Sequence, residues 1–348
     1  MFYSVNFLRA VAASLVVFLH FSIQYSNHFD AEFDLSILGV SLEKLGSIGV
    51  DIFFIISGFV IYTSSMKKKN IGIVSFLRSR LKRIMPLYLI FTLIYIVISA
   101  ATSLSKYNFD TFHFISSLFL FPAKNADGLY APILYVAWTL SYEIYFYITY
   151  VFAMKAFGGS LKLYISALVT PIVLFAMFYD LDGFIQTRDV IFNPMLLEFI
   201  MGILIAKYVY LIRSVNWKVG VILFSMSIVI GIVFSYFDSN DYYRFLFYGI
   251  PSTLLIISFL ILDDSRIFRS KLFCLLGNSS YSLYLSHVFT LPFFIKIIVI
   301  LDFDEFYLTS ILSVIFCYVF AVISYKYIEL RFIPAIFEIN RKIKSTSY

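Results

Sequence analysis

Charge is what this sequence has least of. Of its 348 residues only 14% are Asp, Glu, Lys or Arg, against about a quarter in an ordinary soluble domain. So few charges cannot cover a water-facing surface, which excludes a chain of two or three soluble domains, the number its length would otherwise allow. Cysteine is nearly absent too: Cys274 and Cys317 both sit inside hydrophobic runs with no metal-type spacing, which excludes a disulfide scaffold and a thiolate metal site. Internal repeats, low-complexity segments and linkers long enough to separate domains are lacking as well. The first apolar run, Phe7 to Tyr25, has no Lys/Arg-rich leader and no clear small-residue cleavage site. It reads as a retained span rather than a signal peptide.

What the chain does have is apolar length. Hydrophobic residues make up 61% of it, with 41 Phe and 27 Tyr, and crossing about 30 Å of hydrocarbon takes roughly 20 helical residues. Such stretches lie near 7–25, 46–65, 84–104, 129–154, 163–179, 190–212, 219–237, 245–262, 273–301 and 307–328. The fold class is therefore an all-α polytopic membrane bundle of about ten transmembrane helices, one membrane domain over 1–348 with a short basic tail at 330–348. The piece from Phe112 to Phe121 is too short to span and reads as lying outside or re-entrant.

The net charge of +6 points to a membrane's inner face rather than to nucleic acid, because the charges alternate by loop. Lys67, Lys68, Lys69, Arg78, Arg80, Lys82 and Arg83 form one basic cluster, which the positive-inside rule assigns to the cytoplasm. Loops on that side then hold Lys155 and Lys162; Arg213 and Lys218; Arg266, Arg269 and Lys271; and Arg331, Arg341, Lys342 and Lys344. The opposite loops are acidic: Asp30, Glu32, Asp34 and Glu43; Asp180, Asp182 and Asp189; Asp238 and Asp241; Asp302, Asp304 and Glu305. Both termini fall on the cytoplasmic side.

Ionisable residues within spans are functional candidates, since a charge in hydrocarbon costs several kcal/mol. Arg9 and His20 are eleven residues apart in the first run, which brings them to within about 20° of one helix face and roughly 16 Å apart along it. They read as two depths of one cavity, although Arg9 alone could be a snorkelling end-of-helix cation and His20 alone a packing histidine. Asp51, at the start of the second run, is at a depth to meet His20 and orient its ring; it could equally be a carboxylate favoured by a helix N-terminus. Glu143 lies mid-span in Trp138-Thr-Leu-Ser-Tyr-Glu143, too deep to snorkel, so it needs a partner or a wet cavity. Glu198 and His287 are also deep, and either could simply pair with a neighbouring helix. Arg80 and Arg83 are one turn apart, a spacing at which guanidinium forks suit phosphates, though a topogenic basic loop would be indifferent to it.

These residues carry a resemblance. Leu8-Arg9-Ala10 with the Arg-x10-His spacing to His20, Gly49-Val-Asp51-Ile-Phe-Phe54-Ile-Ile-Ser57-Gly58-Phe59, Arg80-x-x-Arg83-Ile-Met-Pro86, Trp138-Thr-Leu-Ser-Tyr-Glu143, Leu276-Gly277-Asn-Ser-Ser-Tyr281-Ser-Leu-Tyr284-Leu-Ser-His287 and Ser324-Tyr325-Lys-Tyr327-Ile328-Glu329 follow one another over residues 8–329. In order and spacing the sequence resembles the membrane-bound acyltransferase 3 family, whose bacterial members O-acetylate surface polysaccharides. It departs where many members carry Pro after the terminal Glu, having Leu330 and Arg331 there.

The resemblance implies an O-acyltransferase in the bacterial inner membrane, using acetyl-CoA or another acyl-CoA as donor substrate with no permanently bound cofactor and no metal. The acceptor would be a hydroxyl of a cell-surface polysaccharide or its lipid-linked precursor. It implies His20 as the base that takes the hydroxyl proton, with Asp51 and Glu143 as further catalytic candidates. Arg9, Arg80 and Arg83 would hold the donor, and Ser57 and Gly58 would let its pantetheine arm pack closely. Tyr281 and Glu329, with Glu198 and His287, complete the candidates. The partners expected are donor, carbohydrate or glycolipid acceptor and membrane lipid, without nucleic acid. A transporter or flippase for a glycolipid or small solute, which would also use buried charges in such a bundle, is the alternative.

Cysteines introduced at positions 68 and 182 and probed with an impermeant label should report opposite sides of the membrane; labelling from the same side would end the ten-span reading.

Overall fold

The computed structural model describes residues 2–29, 36–37, 40–66, 72–102, 111–121, 123–124, 131–166, 168–169, 193–236 and 244–338. Apart from a two-residue antiparallel ladder, Ser36–Ile37 with Val40–Ser41, these residues are helical or connect helices. We number the helices α1 (Tyr3–Phe29), α2 (Leu42–Met66), α3 (Ile73–Thr102), α4 (Thr111–Leu118), α5 (Trp138–Ala156), α6 (Leu196–Lys207), α7 (Val209–Arg213), α8 (Trp217–Ser235), α9 (Ile250–Ile261), α10 (Lys271–Asn278), α11 (Ser280–Ile300) and α12 (Phe306–Ser324).

Six helices among the described residues are long and apolar enough to cross a membrane: Tyr3–Phe29, Gly46–Met66, Ile73–Ala101, Trp217–Phe234, Ser280–Ile300 and Phe306–Glu338. The other expected spans differ for physical reasons. The stretch 129–154 becomes helical only after Pro132, in a 3₁₀ turn at Tyr135–Ala137 that leads into α5, because the position before a proline resists helix. The stretch 190–212 starts at Leu196, with Asn193 Oδ1 accepting from Met195 N at 2.9 Å. It breaks at Tyr208 between α6 and α7. The stretch 245–262 opens with a π turn, Phe245–Gly249, before α9. Expected span 163–179 lies mostly outside the described residues, as do Lys67 to Lys69, Asp30, Glu32, Asp34, Asp180, Asp182, Asp189, Asp238, Asp241, Arg341, Lys342 and Lys344.

Several helix ends also move. α3 starts at Ile73 rather than at 84, so Arg80 and Arg83 stand inside a helix; Arg and Lys are good helix formers whose stems lie along apolar surface. Expected span 273–301 is divided at Ser279 into α10 and α11. The last helix continues through a π segment, Tyr325–Phe332, to Glu338, so the tail expected from 330 is helical as far as it is described. α4 is only eight residues, about 12 Å long, and too short to cross.

The two ends of the bundle differ in charge. At one end Ser4 N donates to Asp263 Oδ1 at 2.7 Å, Arg213 and Arg269 pair with Asp264 at 3.0 and 3.3 Å, and Lys82 Nζ sits 4.7 Å over the Phe337 ring. Arg213 and Arg269 also lie over the Phe2 and Tyr3 rings at the start of α1, and Lys82 of α3 thus meets the end of the last helix. At the other end the Tyr25 hydroxyl donates to Asp304 of the acidic 302–305 loop.

The interior is organised around α2 and α11. About two-thirds of their most apolar stretches is buried (61% and 67%), against 17% for α8, which lies at the periphery of the described bundle. α2 contributes to two separate apolar cores, and its Phe53 touches the third as well. Its close neighbours are α1 and α6, and the approach to α6 is set by absent side chains. A Cβ added at Gly58 would lie 2.0 Å from Phe199 O, and one at Gly202 would lie 1.9 Å from Ile55 O. Small residues give membrane helices this contact, where dispersion and packing replace the hydrophobic drive.

Gly202→Val should therefore destabilise the bundle by more than the ~1–3 kcal/mol of ordinary overpacking, because the obstacle is backbone. Thermal unfolding in detergent should show the loss, and a variant as stable as the parent would mean that α2 and α6 are farther apart than this.

Candidate functional site

A cavity of about 120 Å³ opens between α1, α2, α3, α5 and α11, large enough for several waters. Its polar lining is Arg9, Ser57, Arg80, Arg83, Thr139, Glu143, Tyr147, Tyr281 and Tyr284, set among Val50, Phe53, Phe54, Ile56, Val60, Ile84 and Leu140. Residues from four of the sequence motifs thus converge, with Tyr281 and Tyr284 from a fifth. The helix period explains the choice on α2: Val50, Phe53, Phe54, Ser57 and Val60 recur at three and four residues and share one face.

Three cations and one carboxylate face this cavity. Glu143 is held by two hydroxyls, Ser57 Oγ at 2.6 Å and the Tyr147 hydroxyl, both donating to Oε1. Arg80 donates to Ser64 Oγ and lies 5.5 and 5.9 Å over the rings of Phe76 and Tyr147, while its buried Nε has no hydrogen-bond partner among the described residues. Among the described residues neither Arg9 nor Arg83 has a hydrogen-bond or ion-pair partner within 4 Å. Arg9 stands in the field of Glu143 and of Glu329, and Arg83 in that of Glu329, whose carboxylate accepts from Ser282 Oγ. Tyr281 donates to Ile84 O at 2.9 Å. Three guanidiniums against the two carboxylates of Glu143 and Glu329 leave the site with an excess of positive charge.

His20 is not part of that lining. Its ring lies 4.9 Å from the ring of His287 and 5.6 Å from that of Tyr135, with His20 Nδ1 3.2 Å from His287 Nε2. Tyr284 bridges the two groups: it lines the cavity, its ring is 6.0 Å from that of His287, and its hydroxyl bonds Thr139 Oγ1 at 2.8 Å and Val136 O at 2.6 Å. Arg9 and His20 stand on α1, and of the two only Arg9 lines this cavity.

The expected contact of Asp51 with His20 is replaced by another. Asp51 is fully buried and paired with Arg244, whose Nη2 lies 2.8 Å from Oδ2 and whose Nε lies 3.2 Å from Oδ1. Arg244 Nη2 also donates to Ser47 O at 2.9 Å. Asp51 is six residues before Ser57, about 120° round the helix from it, so one turns to the cavity and the other to the π turn ahead of α9. Glu198 joins Asp51 and Arg244 rather than the cavity; it is fully buried, with its carboxyl in hydrogen-bonding contact with that of Asp51 and in the field of Arg244. Gly58 is likewise away from the cavity, since its open side is filled by α6. It sets the packing of α2 against α6.

Sequence reasoning missed Arg244, Tyr147, Thr139 and Tyr284. The tyrosines and threonine carry no charge to single them out. Arg244 did leave a signal, being a lone cation beside Asp238 and Asp241 in a loop otherwise acidic.

A family model described as an acyltransferase domain matches residues 2–324, which includes every cavity residue. The chain is also 30% identical over 260 residues to the exopolysaccharide production protein ExoZ of Rhizobium meliloti (strain 1021), across 71% of this chain and 77% of that one. No solved structure matches it significantly.

Arg244→Met leaves Asp51 buried without its partner, which should cost ~3–5 kcal/mol, whereas the double variant Asp51→Leu with Arg244→Met should recover most of that loss. Unfolding midpoints of the three purified proteins measure this; equal stability of parent and single variant would deny the pair its role.

Proposed function

We propose, on the premise that this chain belongs to the acyltransferase 3 family, that it moves an acetyl group from acetyl-CoA to a hydroxyl of a cell-surface polysaccharide or its lipid-linked precursor. The observation that carries the reading is the cavity: Arg9, Arg80 and Arg83 converge on it against one carboxylate already engaged by two hydroxyls. Guanidinium forks such as those of Arg9 and Arg83, without a hydrogen-bond partner among the described residues, favour a polyanion in a partly dry site, and coenzyme A presents phosphates. The apolar remainder of the lining suits the thin pantetheine arm that follows them. Family membership, not any feature of the bundle, chooses transfer over transport.

Orientation follows from charge. The end that gathers Arg78, Arg80, Lys82, Arg83, Arg213, Arg266, Arg269 and Lys271 is cytoplasmic under the positive-inside rule, where acyl-CoA is made. We read the chain as crossing the bacterial inner membrane ten times with both termini inside. The relative named for exopolysaccharide production supports a carbohydrate acceptor.

His20 supplies the base. A hydroxyl is a poor nucleophile until a group within hydrogen-bond reach takes its proton, and imidazole changes charge near neutrality. Arg9 lies on the same helix at the donor end, so one helix bears on both substrates. Glu143, fixed by Ser57 and Tyr147, acts through the cavity's charge balance, keeping three arginines together when no donor is bound.

Purified protein in detergent, given acetyl-CoA and polysaccharide from a strain lacking the gene, tests the reading. Arg80→Lys and Arg83→Lys keep charge but lose the fork, and each should raise the donor KM. His20→Gln should lower kcat by about 10²–10⁴-fold, read by mass spectrometry of the glycan. A folded His20→Gln protein at near-parental rate removes histidine from the chemistry, and parental donor affinity in both lysine variants returns the arginines to topology alone.

A further inference from the structure

The half-buried His20 and the fully buried His287 carry an inference that rests on this reading and deepens it. His20 comes from α1 and His287 from α11, and each ring is tied to the carbonyl four residues earlier in its own helix: His20 Nδ1 lies 2.9 Å from Val16 O, and His287 Nδ1 lies 3.2 Å from Leu283 O. A carbonyl oxygen has no proton to give, so an imidazole nitrogen facing one must carry the hydrogen. For His287 this places the proton on Nδ1. In the neutral ring, Nε2 is then a bare acceptor.

That acceptor points at His20. Nδ1 of His20 is 3.2 Å from His287 Nε2 and so faces two acceptors at once, the carbonyl of Val16 and the lone pair of His287. A bare Nδ1 would set lone pair against lone pair on both sides; a protonated Nδ1 satisfies both as a shared donor. Nε2 is left as the basic nitrogen, and among the described residues no protein group is hydrogen-bonded to it. Free imidazole prefers the opposite tautomer, so the surroundings impose this one.

We infer that His287 is a positioning residue that fixes His20 as its Nδ1–H tautomer, so that Nε2 is the atom that takes the acceptor's proton. In the transfer step the hydroxyl proton moves to His20 Nε2 while the oxygen forms a bond to the acyl carbon. The carbon–sulfur bond then breaks, and the proton passes from Nε2 to the departing thiolate. Throughout, the Nδ1–H stays on His20, and its bond to His287 Nε2 strengthens while the ring is cationic, as charge-assisted hydrogen bonds do. His287 thus does for His20 what a carboxylate does elsewhere, without adding a negative charge to the apolar layer. The sequence-based expectation gave that place to Asp51, which Arg244 occupies instead.

Two variants and one spectrum decide it. His287→Gln puts an amide oxygen near the place of Nε2 and still accepts from His20, so kcat should stay within about tenfold of the parent; His287→Leu accepts nothing, and kcat should fall about 10²-fold or more with donor KM unchanged. Nitrogen-15 NMR of histidine-labelled protein in detergent should show His20 protonated at Nδ1 in the parent and in His287→Gln, and at Nε2 in His287→Leu. A parent His20 protonated at Nε2 overturns the inference whatever the rates, and so does a folded His287→Leu protein with parental kcat. If the parent transfers no acetyl group while the spectrum is as expected, the proposed function fails and the tautomer assignment stands.

Discussion

A charge placed in hydrocarbon must find a partner or a wet cavity, and that constraint arranges this molecule. Few ionisable side chains enter the apolar layer, and nine of the described ones are sorted into three separate groups. Arg9, Arg80, Arg83 and Glu143 share the cavity; Asp51, Arg244 and Glu198 form a closed cluster on the other side of α2; His20 and His287 face one another with Tyr284 between them and the cavity. The groups differ in how complete they are. Asp51 and Arg244 meet with two hydrogen bonds and have little left to offer a ligand, whereas two arginines of the cavity have no partner within the described protein.

α2 makes that sorting possible. It is the helix whose faces serve all three groups: Ser57 turns to the cavity, Asp51 to Arg244, and Phe53 packs 5.7 Å from Tyr284. Its position is fixed by backbone-to-backbone contact through Gly58 and Gly202 and by Gly49 against Ala12 O. Such contacts leave no room for rotation, since a turn of one residue would carry Asp51 toward the cavity and Ser57 out of it. Packing and electrostatics therefore constrain one another.

The sites of irregular helix fall at the same places. A π turn follows Arg244 directly, and a second π segment carries Glu329. Pro86 lies inside α3 and Pro292 inside α11, each removing one backbone donor from a helix that continues past it. π turns gather at functional sites because the extra residue re-aims side chains while neighbouring turns stay helical. Here the first lets a cation reach Asp51, and the second sets a carboxylate beside Ser282 and in the field of Arg9 and Arg83.

How much of this was legible depends on the range of the physics. Membrane residence, the helical class and the alternation of basic and acidic loops are properties of consecutive residues, because a span must satisfy its own backbone bonds and each loop carries its own charge. Arg9, Arg80, Arg83 and Glu143 were found for the same reason, as ionisable groups cannot enter an apolar run unnoticed. Pairing was not legible. Nothing local says that Asp51 meets a residue 193 positions later and that His20 meets one 267 positions later; each distance is set by how helices far apart in sequence rotate and approach. Even Gly58, read as room for a ligand, proved to be room for α6, since only the fold decides which neighbour fills the space a missing side chain leaves.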